Sequence, residues 1–440
     1  MSDLTDRLWE RFGTLTVDDL PADVATVAHH CVLDWLGCAV AGSREPLSGI
    51  LRDELATETG ACSLVGSNRR ADPLRAAMLN GAAGHALDFD DTSQVMGGHA
   101  SVPLLPAVLA AAEAGRGSGA DVVAAYATGM EVQARIGAAI GADHYRRGWH
   151  TTSTIGVFGA AAGVARLLQL DAAGFGTAMG IAASSASGLK ANFGTMTKPL
   201  HPGQAAERGL LAARLAAAGY TADSGAVDGN QGFAQAAGDG ALDDAELERW
   251  TDRWATPRTL FKLHAACHLT HAGIEATSSI LGDLDADEID EIRLTVNPGI
   301  LDVCGIPEPQ TGLEAKFSLT GTQALVAHGA DTAAVETFAD EPIRRPEVQA
   351  FLGRVVIDTD PSLPTMATRV ALTAGGSTVG AAADVSRPAA DLDAQGARLR
   401  TKFVALAGPV LGGERARLLA DRIDALTAID DVGELLALTR

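Results

Sequence analysis

The amino-acid sequence predicts a mainly helical fold, with a large all-helical domain and a smaller α+β second domain. Apolar residues make up 47% of the chain and charged residues 20%, a balance typical of a well-buried globular protein rather than a disordered one. Aromatic residues account for only 4%, so the core must be built from small aliphatic side chains in closely packed helices. Strand composition appears only in the later part of the chain.

The segment that follows Pro21 shows the helical pattern of the first part of the chain. Apolar residues at Val24, Val27 and Cys31 recur at helical spacing, and Gly42 provides a stop signal. Similar patterns predict helices at 73–87, 104–115, 120–140, 153–169, 172–187 and 203–218.

The character of the sequence changes in its last third. Gly375 and Gly376 separate two runs of strand composition and predict a hairpin. We therefore expect an all-helical domain over 1–265, an α+β lid domain over 266–394, and C-terminal helices over 395–440 that return to the helical domain. Within the α+β domain the predicted strands are 292–296, 355–358, 368–374 and 378–382, and the predicted helices are 313–328 and 345–352.

Glycines are frequent in the helical part, and they do not form a nucleotide-binding motif. Gly156, Gly159 and Gly163 recur on or near one helix face, which indicates close helix–helix approach. No glycine-rich phosphate loop precedes a Lys-Ser/Thr pair, and no strand–G-x-G-x-x-G–helix unit is found. We therefore predict an enzyme that uses no cofactor.

The charge of the chain excludes some partners. With 34 basic and 55 acidic residues, the formal net charge is −21, which disfavours nucleic acid and anionic membranes as partners. An anionic substrate would need a local positive pocket. Lysine is rare, and the five lysines are Lys190, Lys198, Lys262, Lys316 and Lys402.

The cysteines and the first residues bear on the compartment. Five cysteines are scattered without a C-x-x-C pair, so neither a disulfide framework nor a zinc knuckle is expected. The first ten residues are charged and lack the apolar region of a signal peptide. No charge-free apolar run suggests a membrane span. We expect a cytoplasmic protein.

The first of four polar clusters is the segment HALDFDDT (85–92), followed by GGHAS (97–101). Three carboxylates within four residues repel one another unless they face cations, a metal or water. One interpretation is a solvated helix end with a capping aspartate. The alternative is a functional site, which His85 and His99 favour because they flank the acids.

The second and third clusters each precede a predicted helix. His150 stands just upstream of one predicted helix start, and His201 stands at or near the next, with Lys198 a few residues before it. Free N–H groups and the helix dipole favour anions at such positions. Two of these helix starts would suit a substrate with two carboxylates.

The fourth cluster is FKLHAACHLTH (261–271). If this segment is helical, His264, His268 and His271 share a face with a spacing that could bind zinc. No carboxylate lies within the cluster, so packing or substrate hydrogen bonding is favoured and no metal is predicted.

At these residues the sequence resembles the MmgE/PrpD family, which includes 2-methylcitrate dehydratases, cis-aconitate decarboxylases and iminodisuccinate epimerases. The family fold is a large helical domain with an α+β lid, and its members are typically homodimers. The matching stretches are DWLGCAVAG (34–42), NGAAGHALDFDDT (80–92), HASVPLLPA (99–107), WHTTSTIGVFGAAA (149–162), FGTMTKPLHPGQAAERG (193–209), FKLHAACHLTH (261–271) and GLEAKFSL (312–319).

The resemblance implies a set of site residues. Two histidines would carry protons, two lysines would stabilise negative charge, Asp88 would orient a histidine or lysine, and Thr92 would bind a substrate carboxylate. His201 and His264 complete the substrate-binding candidates. The predicted catalytic residues are therefore His99, His150, Lys198, Lys262 and Asp88, and the predicted substrate-binding residues are Thr92, His201 and His264.

One position departs from the decarboxylase branch of the family. That branch carries a tyrosine four residues after the Phe of its F-S motif, whereas Gly321 stands four residues after Phe317 here. This departure weakens the transfer of cis-aconitate decarboxylation in particular.

The combined prediction is a cofactor-independent lyase that dehydrates or decarboxylates a small di- or tricarboxylate by α-proton transfer. The alternatives are an epimerase of an iminodisuccinate-like diacid, a metal-dependent hydratase and a non-catalytic homologue.

Overall fold

The chain folds into two compact units. The larger unit consists of Met1–Phe261 together with Ala390–Arg440, and the smaller unit is Lys262–Ala389. Helices dominate the larger unit and a mixed sheet forms the centre of the smaller one, so the predicted fold class is confirmed. The unit boundaries differ by a few residues from the predicted domain boundaries. The structure is a computed structural model that describes residues 3–55, 60–240, 242–250 and 252–440.

The first part of the larger unit contains all the helices predicted there, although the helix predicted to begin at residue 203 begins at Thr197. It also contains two short antiparallel strand pairs, β1 (Cys62–Ser63) with β2 (Arg70–Ala71), and β3 (Thr92–Ser93) with β4 (Thr259–Leu260). The helices are α1 (Asp3–Phe12), α2 (Ala22–Gly42), α3 (Pro46–Leu55), α4 (Pro73–His85), α5 (Ser101–Gly115), α6 (Gly119–Ile140), α7 (Ala142–Arg146), α8 (Thr151–Thr154), α9 (Gly156–Leu167), α10 (Ala172–Ser185), α11 (Thr197–Ala217), α12 (Phe233–Ala237) and α13 (Asp244–Arg249).

The smaller unit is built on a four-stranded sheet in the order β6-β5-β7-β8. Strand β5 pairs in parallel with β6 and antiparallel with β7. Gly375 and Gly376, both at positive φ, form the two-residue turn of the predicted hairpin. The strands are β5 (Ile289–Val296), β6 (Val355–Thr359), β7 (Ala367–Ala374) and β8 (Ser377–Asp384), and the helices are α14 (His268–Leu281), α15 (Leu301–Cys304), α16 (Gly312–Lys316), α17 (Leu319–Ala327), α18 (Asp340–Arg344) and α19 (Pro346–Phe351).

The chain then returns to the larger unit, as predicted. Helix α20 (Leu392–Leu411) packs along α2, and α21 (Gly413–Asp424) and α22 (Val432–Ala437) follow. Among the described residues, α2 alone is long and apolar enough to cross a membrane. Most of α2 is buried inside the larger unit, as is usual for a core helix.

Small residues allow the core helices to approach one another closely. A Cβ at Gly159 would lie 2.3 Å from Oε1 of Gln133, and one at Gly163 would lie 2.9 Å from the carbonyl oxygen of Ala125. Both neighbours belong to α6. The interpretation of these glycines as helix-packing positions is therefore confirmed.

The crossing of α4 and α11 is equally tight, and these two helices carry residues of the candidate site. A Cβ at Gly203 on α11 would lie 2.3 Å from the carbonyl oxygen of Met78 and 2.9 Å from the main-chain nitrogen of Ala82, both on α4. Since the obstacles are backbone atoms, a side chain at residue 203 can be accommodated only if the helices move apart.

We expect Gly203→Ala to lower the free energy of unfolding by about 1–3 kcal/mol, because overpacking forces backbone shifts of this cost. The matched control is Gly49→Ala on α3, where no group outside the local helix lies within 4 Å of the added methyl group. That change should instead stabilise by about 0.5–1 kcal/mol, because alanine is the better helix former. Chemical denaturation of both variants tests the crossing, and equal stabilities would contradict it.

Candidate active site

The candidate site is formed around the acidic loop, defined as residues 86–100 between α4 and α5. Asp90 and Asp91 are fully buried, whereas Asp88 is half-buried. The interpretation of this segment as a solvated helix end is therefore wrong for two of its three acids. Asp88 adopts a left-handed backbone conformation with φ of 52°. Aspartate tolerates this conformation better than most residues.

Asp90 joins two histidines. Its Oδ1 lies 2.8 Å from Nδ1 of His85, and its Oδ2 lies 3.0 Å from Nδ1 of His99. A carboxylate can only accept, so His85 must donate its Nδ1–H and keep an unprotonated Nε2 while neutral. That Nε2 is buried and has no hydrogen-bond partner among the described residues.

Burial and the neighbouring charges shift the pKa values of this group. Burial raises the pKa of Asp90, but the nearby rings of His85 and His99 outweigh it and hold that pKa well below its usual range. Burial, with further contributions from Lys198 and His99, lowers the pKa of His85 to about 4 although Asp90 opposes the shift. Asp90 is therefore a carboxylate at neutral pH, and His85 is neutral.

Asp88 forms the second connection in the site. Its Oδ1 accepts a hydrogen bond from Nζ of Lys198 at 2.7 Å, and Nε2 of His99 lies 3.4 Å from the same oxygen. Lys198 stands in the first turn of α11, where the helix dipole disfavours a cation. The Asp88 carboxylate offsets this, so the ion pair joins the acidic loop to α11.

His150 and His201 form a second histidine pair, with their Nδ1 atoms 3.1 Å apart. Both rings are buried. Burial lowers the pKa of His150 strongly, and His85, Lys198 and His201 contribute to the same shift. His150 is therefore a neutral imidazole at neutral pH. Its ring centroid lies 6.0 Å from that of His85 and 4.9 Å from that of Phe193.

The prediction that His201 lies at a helix start is wrong, because α11 begins at Thr197. Proline is favoured in a first helical turn, and Pro202 suggested the start. Pro199 already fills that role in the longer helix, so Lys198 stands in the first turn and His201 lies further along α11.

His150 does stand at a helix start, as predicted, but that helix is α8, which has only four residues. A second helix, α9, follows from Gly156. The carbonyl oxygen of His150 accepts from the main-chain N–H groups of Ser153 and Thr154. The ring of His150 is therefore held by a short, well-bonded turn.

The condition on which the three histidines of the fourth cluster would share a helix face is not met, because α14 begins only at His268. The N–H groups of Ala265 and Cys267 bond to the carbonyl groups of Thr332 and Lys316. These long-range bonds hold the preceding segment in an irregular conformation. His264 therefore does not share a helix face with His268 and His271.

The remaining predicted residues divide between the two units. Thr92 lies in β3 opposite Leu260 of β4, within the larger unit. Lys262 is buried in the smaller unit. His264 of the same unit bonds through Nδ1 to Thr332 Oγ1 at 2.8 Å and approaches Glu275 Oε1 through Nε2 at 3.2 Å.

Among the described residues, one group has the donor geometry of a metal site. The ligand atoms of His85, Asp88, Asp90 and His99 lie within 4.8 Å of one another, and two imidazoles with two carboxylates suit several transition metals. The Lys198 ammonium already binds Asp88, and His85 donates a proton to Asp90. A metal ion would have to displace the Lys198 ammonium from Asp88 and the His85 proton from its bond to Asp90.

The predicted set of catalytic and substrate-binding residues leaves out three buried residues of this region. Two are Asp90 and His85, and their signal was a histidine five positions before an acid in the HALDFDDT segment. The third is His144, whose Nδ1 lies 2.9 Å from the carbonyl oxygen of Ala237 and whose Nε2 lies 2.6 Å from Thr154 Oγ1. His144 thus supports the turn that carries His150, and no local pattern marks it.

We expect the protein to lose stability as the pH falls from 7 to 5. The folded-state pKa values of His85, His150 and His201 are lowered, chiefly by burial. The unfolded chain therefore binds more protons below about pH 6.5. For His85 this loss of stability extends from about pH 6.5 down to about pH 4.

The Asp91 carboxyl has the opposite effect on the stability of the fold between pH 7 and pH 5. Burial, followed by the charge of Asp34, raises the pKa of Asp91 to about 7. The protonated Asp91 side chain therefore contributes fully to the stability of the folded state at low pH, and this contribution is lost as the pH rises. Asp91→Asn should therefore make the fall in melting temperature between pH 7 and pH 5 steeper than in the wild type. A wild-type melting temperature that is constant or higher at pH 5 would contradict the prediction.

Known proteins similar to this chain agree with its fold and motifs. The family model described as MmgE/PrpD N-terminal domain matches residues 7–245, and the MmgE/PrpD C-terminal domain matches residues 264–426. A cis-aconitate decarboxylase of Aspergillus terreus is 30% identical over 473 residues, covering 99% of this chain and 96% of that protein.

Two mammalian proteins of the same name are also similar. The cis-aconitate decarboxylase of Mus musculus is 29% identical over 396 residues, covering 84% of this chain and 79% of that protein. The one of Homo sapiens is 32% identical over 311 residues, covering 67% and 64%. The resemblance found in the sequence motifs is thus confirmed, and the chain belongs to the MmgE/PrpD family.

Proposed function

We propose that this protein is a lyase that dehydrates or decarboxylates a small di- or tricarboxylate by α-proton transfer, without a cofactor. The family match and the decarboxylase names of the relatives support an enzyme of lyase type. One observation carries the proposal further. A neutral histidine, His150, lies beside a histidine–aspartate–lysine network buried in the larger unit.

The chemistry requires stabilisation of negative charge on the substrate. Removal of a proton next to a carboxylate leaves a carbanion-like centre, which a nearby cation stabilises. A cation about 4 Å away contributes roughly 4 kcal/mol at an effective dielectric constant near 20, before desolvation costs. Lys198 is the cation of the described cluster that can act in this way, because Asp88 holds its ammonium group in place.

Two of the histidines can be assigned as proton acceptor and proton donor, namely His150 and His99. His150 is neutral, so it can take up the α-proton. The Asp88 and Asp90 carboxylates lie against the two nitrogens of His99, so each N–H of that ring has an acceptor oxygen beside it. We therefore assign His150 as the base and His99 as the acid, a pairing that contributes about 10²–10⁴-fold for each proton transfer.

The other site residues keep their predicted roles within this proposal. Asp88 orients Lys198 and His99, and Thr92 and His201 bind substrate carboxylates. Lys262 keeps its proposed role as a second cation, and His264 keeps its proposed role as a hydrogen-bonding residue for the substrate. Variants of each residue test these roles separately.

Epimerisation of an iminodisuccinate-like diacid is the second candidate, and Gly321 favours it over decarboxylation. Gly321 lies in the first turn of α17, where its N–H donates to Ser318 Oγ at 2.9 Å. A Cβ at residue 321 would lie 2.7 Å from Cγ of Pro309. The bulky tyrosine that the decarboxylase branch implies at this position would require Pro309 to move.

Incubation in deuterium oxide with citrate, 2-methylcitrate, cis-aconitate or iminodisuccinate distinguishes these reactions. A lyase converts one of these acids into a product that has lost water or carbon dioxide, detected by mass spectrometry. An epimerase returns deuterium-labelled diacid without either loss. Failure of every diacid to bind or react would instead support a non-catalytic homologue.

Substitution of the assigned residues should abolish most of the activity. We expect Lys198→Ala, His150→Ala and Lys262→Ala each to lower kcat by at least about a hundredfold, because each removes charge stabilisation or proton transfer. Lys190→Ala is the matched control. Lys190 lies only eight positions before Lys198, but its ammonium group packs on the ring of Tyr145. Near-wild-type kcat in all three variants would refute the assignment.

Removal of metal ions should leave the activity unchanged, because protons and the Lys198 ammonium already partner the cluster that could bind a metal. The measurement is kcat before and after dialysis against EDTA, with the metal content determined by elemental analysis. Loss of activity that an added divalent ion restores would support the metal-dependent hydratase instead.

A further inference from the structure

A buried lysine outside the predicted site contacts the acidic loop from the far end of the chain. Lys402 lies on α20 and is 4% exposed. Its Nζ donates to Oδ1 of Asp34 on α2 at 2.6 Å and to the carbonyl oxygen of Phe89 at 2.7 Å. The ammonium also lies 3.8 Å from the centroid of the Phe89 ring. Neither the mechanism above nor the motif set uses this residue.

The contacted carbonyl belongs to the residue between two carboxylates of the candidate site. Phe89 follows Asp88, which has a left-handed backbone conformation, and precedes Asp90. The contacted carbonyl belongs to the peptide that joins Phe89 to Asp90, so a displacement of the Phe89 backbone would shift the points at which both carboxylate side chains are attached. Lys402 holds this peptide through its main-chain oxygen and through its ring.

The charges around Lys402 also match this role. Asp34 and Cys38 face it from α2, and Asp90 faces it from the acidic loop. Asp34 and Asp90 are buried carboxylates, which are costly in a protein interior unless a cation or hydrogen bonds compensate them. Among the described residues of the larger unit, Lys402 is the lysine whose side chain is buried.

We propose that Lys402 is a positioning residue, which fixes the Phe89 peptide and thereby sets the Asp88 and Asp90 carboxylates against His99, His85 and Lys198. This inference rests on the proposed function, because that function assigns the reaction to this cluster. The alternative is that Lys402 and Asp34 form an ion pair that stabilises the fold and has no effect on the site.

Three variants separate these possibilities. Lys402→Met removes the ammonium and its bond to Phe89. Asp34→Asn retains the lysine and an oxygen acceptor at residue 34, so the Nζ of Lys402 can still donate to the carbonyl oxygen of Phe89. The double variant Asp34→Leu/Lys402→Met replaces both charges by apolar groups, a change that often leaves stability unchanged or raised.

Positioning predicts a specific pattern of kcat values. Lys402→Met should lower kcat at least about tenfold, since a misplacement of about 1 Å at a catalytic group costs up to about 10²-fold. The double variant should regain the wild-type melting temperature and keep the low kcat. Asp34→Asn should stay within about threefold of the wild type, because it retains the Phe89 contact that sets the geometry. Recovery of kcat in the double variant, or an equal loss in Asp34→Asn, would overturn the proposal.

A second measurement does not need a substrate. The imidazole ¹⁵N chemical shifts of His85 and His99, assigned with His85→Gln and His99→Asn, report the hydrogen bond of His85 to Asp90 and the close approach of His99 to the same carboxylate. They should change in the double variant and remain as in the wild type in Asp34→Asn. Unchanged shifts in the double variant would overturn the proposal. If the wild type converts none of the tested acids, the proposed function fails, and the shifts still decide the role of Lys402.

Discussion

The burial of carboxylates in and beside the acidic loop is the constraint on which the site depends. Asp90 and Asp91 are fully buried, and Asp34 lies beside them on α2. Each needs a partner, since an uncompensated buried charge costs several kcal/mol. The partners come from separate elements: His85 from α4, Ser101 from α5, Lys402 from α20 and His99 from the loop itself. The larger unit must therefore be folded before these groups can assemble.

The charges of the cluster bear on how this chain could hold an anionic substrate. A protein with a formal net charge of −21 repels anions at long range. The described cluster nevertheless presents the Lys198 ammonium and two histidine pairs whose rings are neutral or backed by carboxylates. Because the Lys198 ammonium is local and partly desolvated, it acts on a bound substrate more strongly than any single distant surface charge does.

The helical scaffold restricts how far these groups can move. Glycines at the crossing of α4 and α11 bring the helix of His85 against the helix of Lys198 and His201. On α6, buried Glu131 accepts from the main-chain N–H groups of Ala255 and Thr256 and pairs with Arg135 at 2.6 Å. This anchor holds the segment that leads into β4, which pairs with the strand of Thr92. The predicted substrate-binding threonine is thus tied to the core.

The sequence by itself determined the fold class, most helix positions, the β7–β8 hairpin and the family, because periodicity, turn glycines and motifs are local properties. It also predicted Asp88, His99, His150 and Lys198 as site residues, and the structure places these four in one region of the larger unit. Only the tertiary structure decided where α11 and α14 begin, since Pro199 and long-range main-chain bonds overrode the local pattern. It also revealed the contact of Lys402 with Phe89, which joins residues 313 positions apart. Contacts at such separation leave no periodic trace in a sequence, because they depend on how the helices pack.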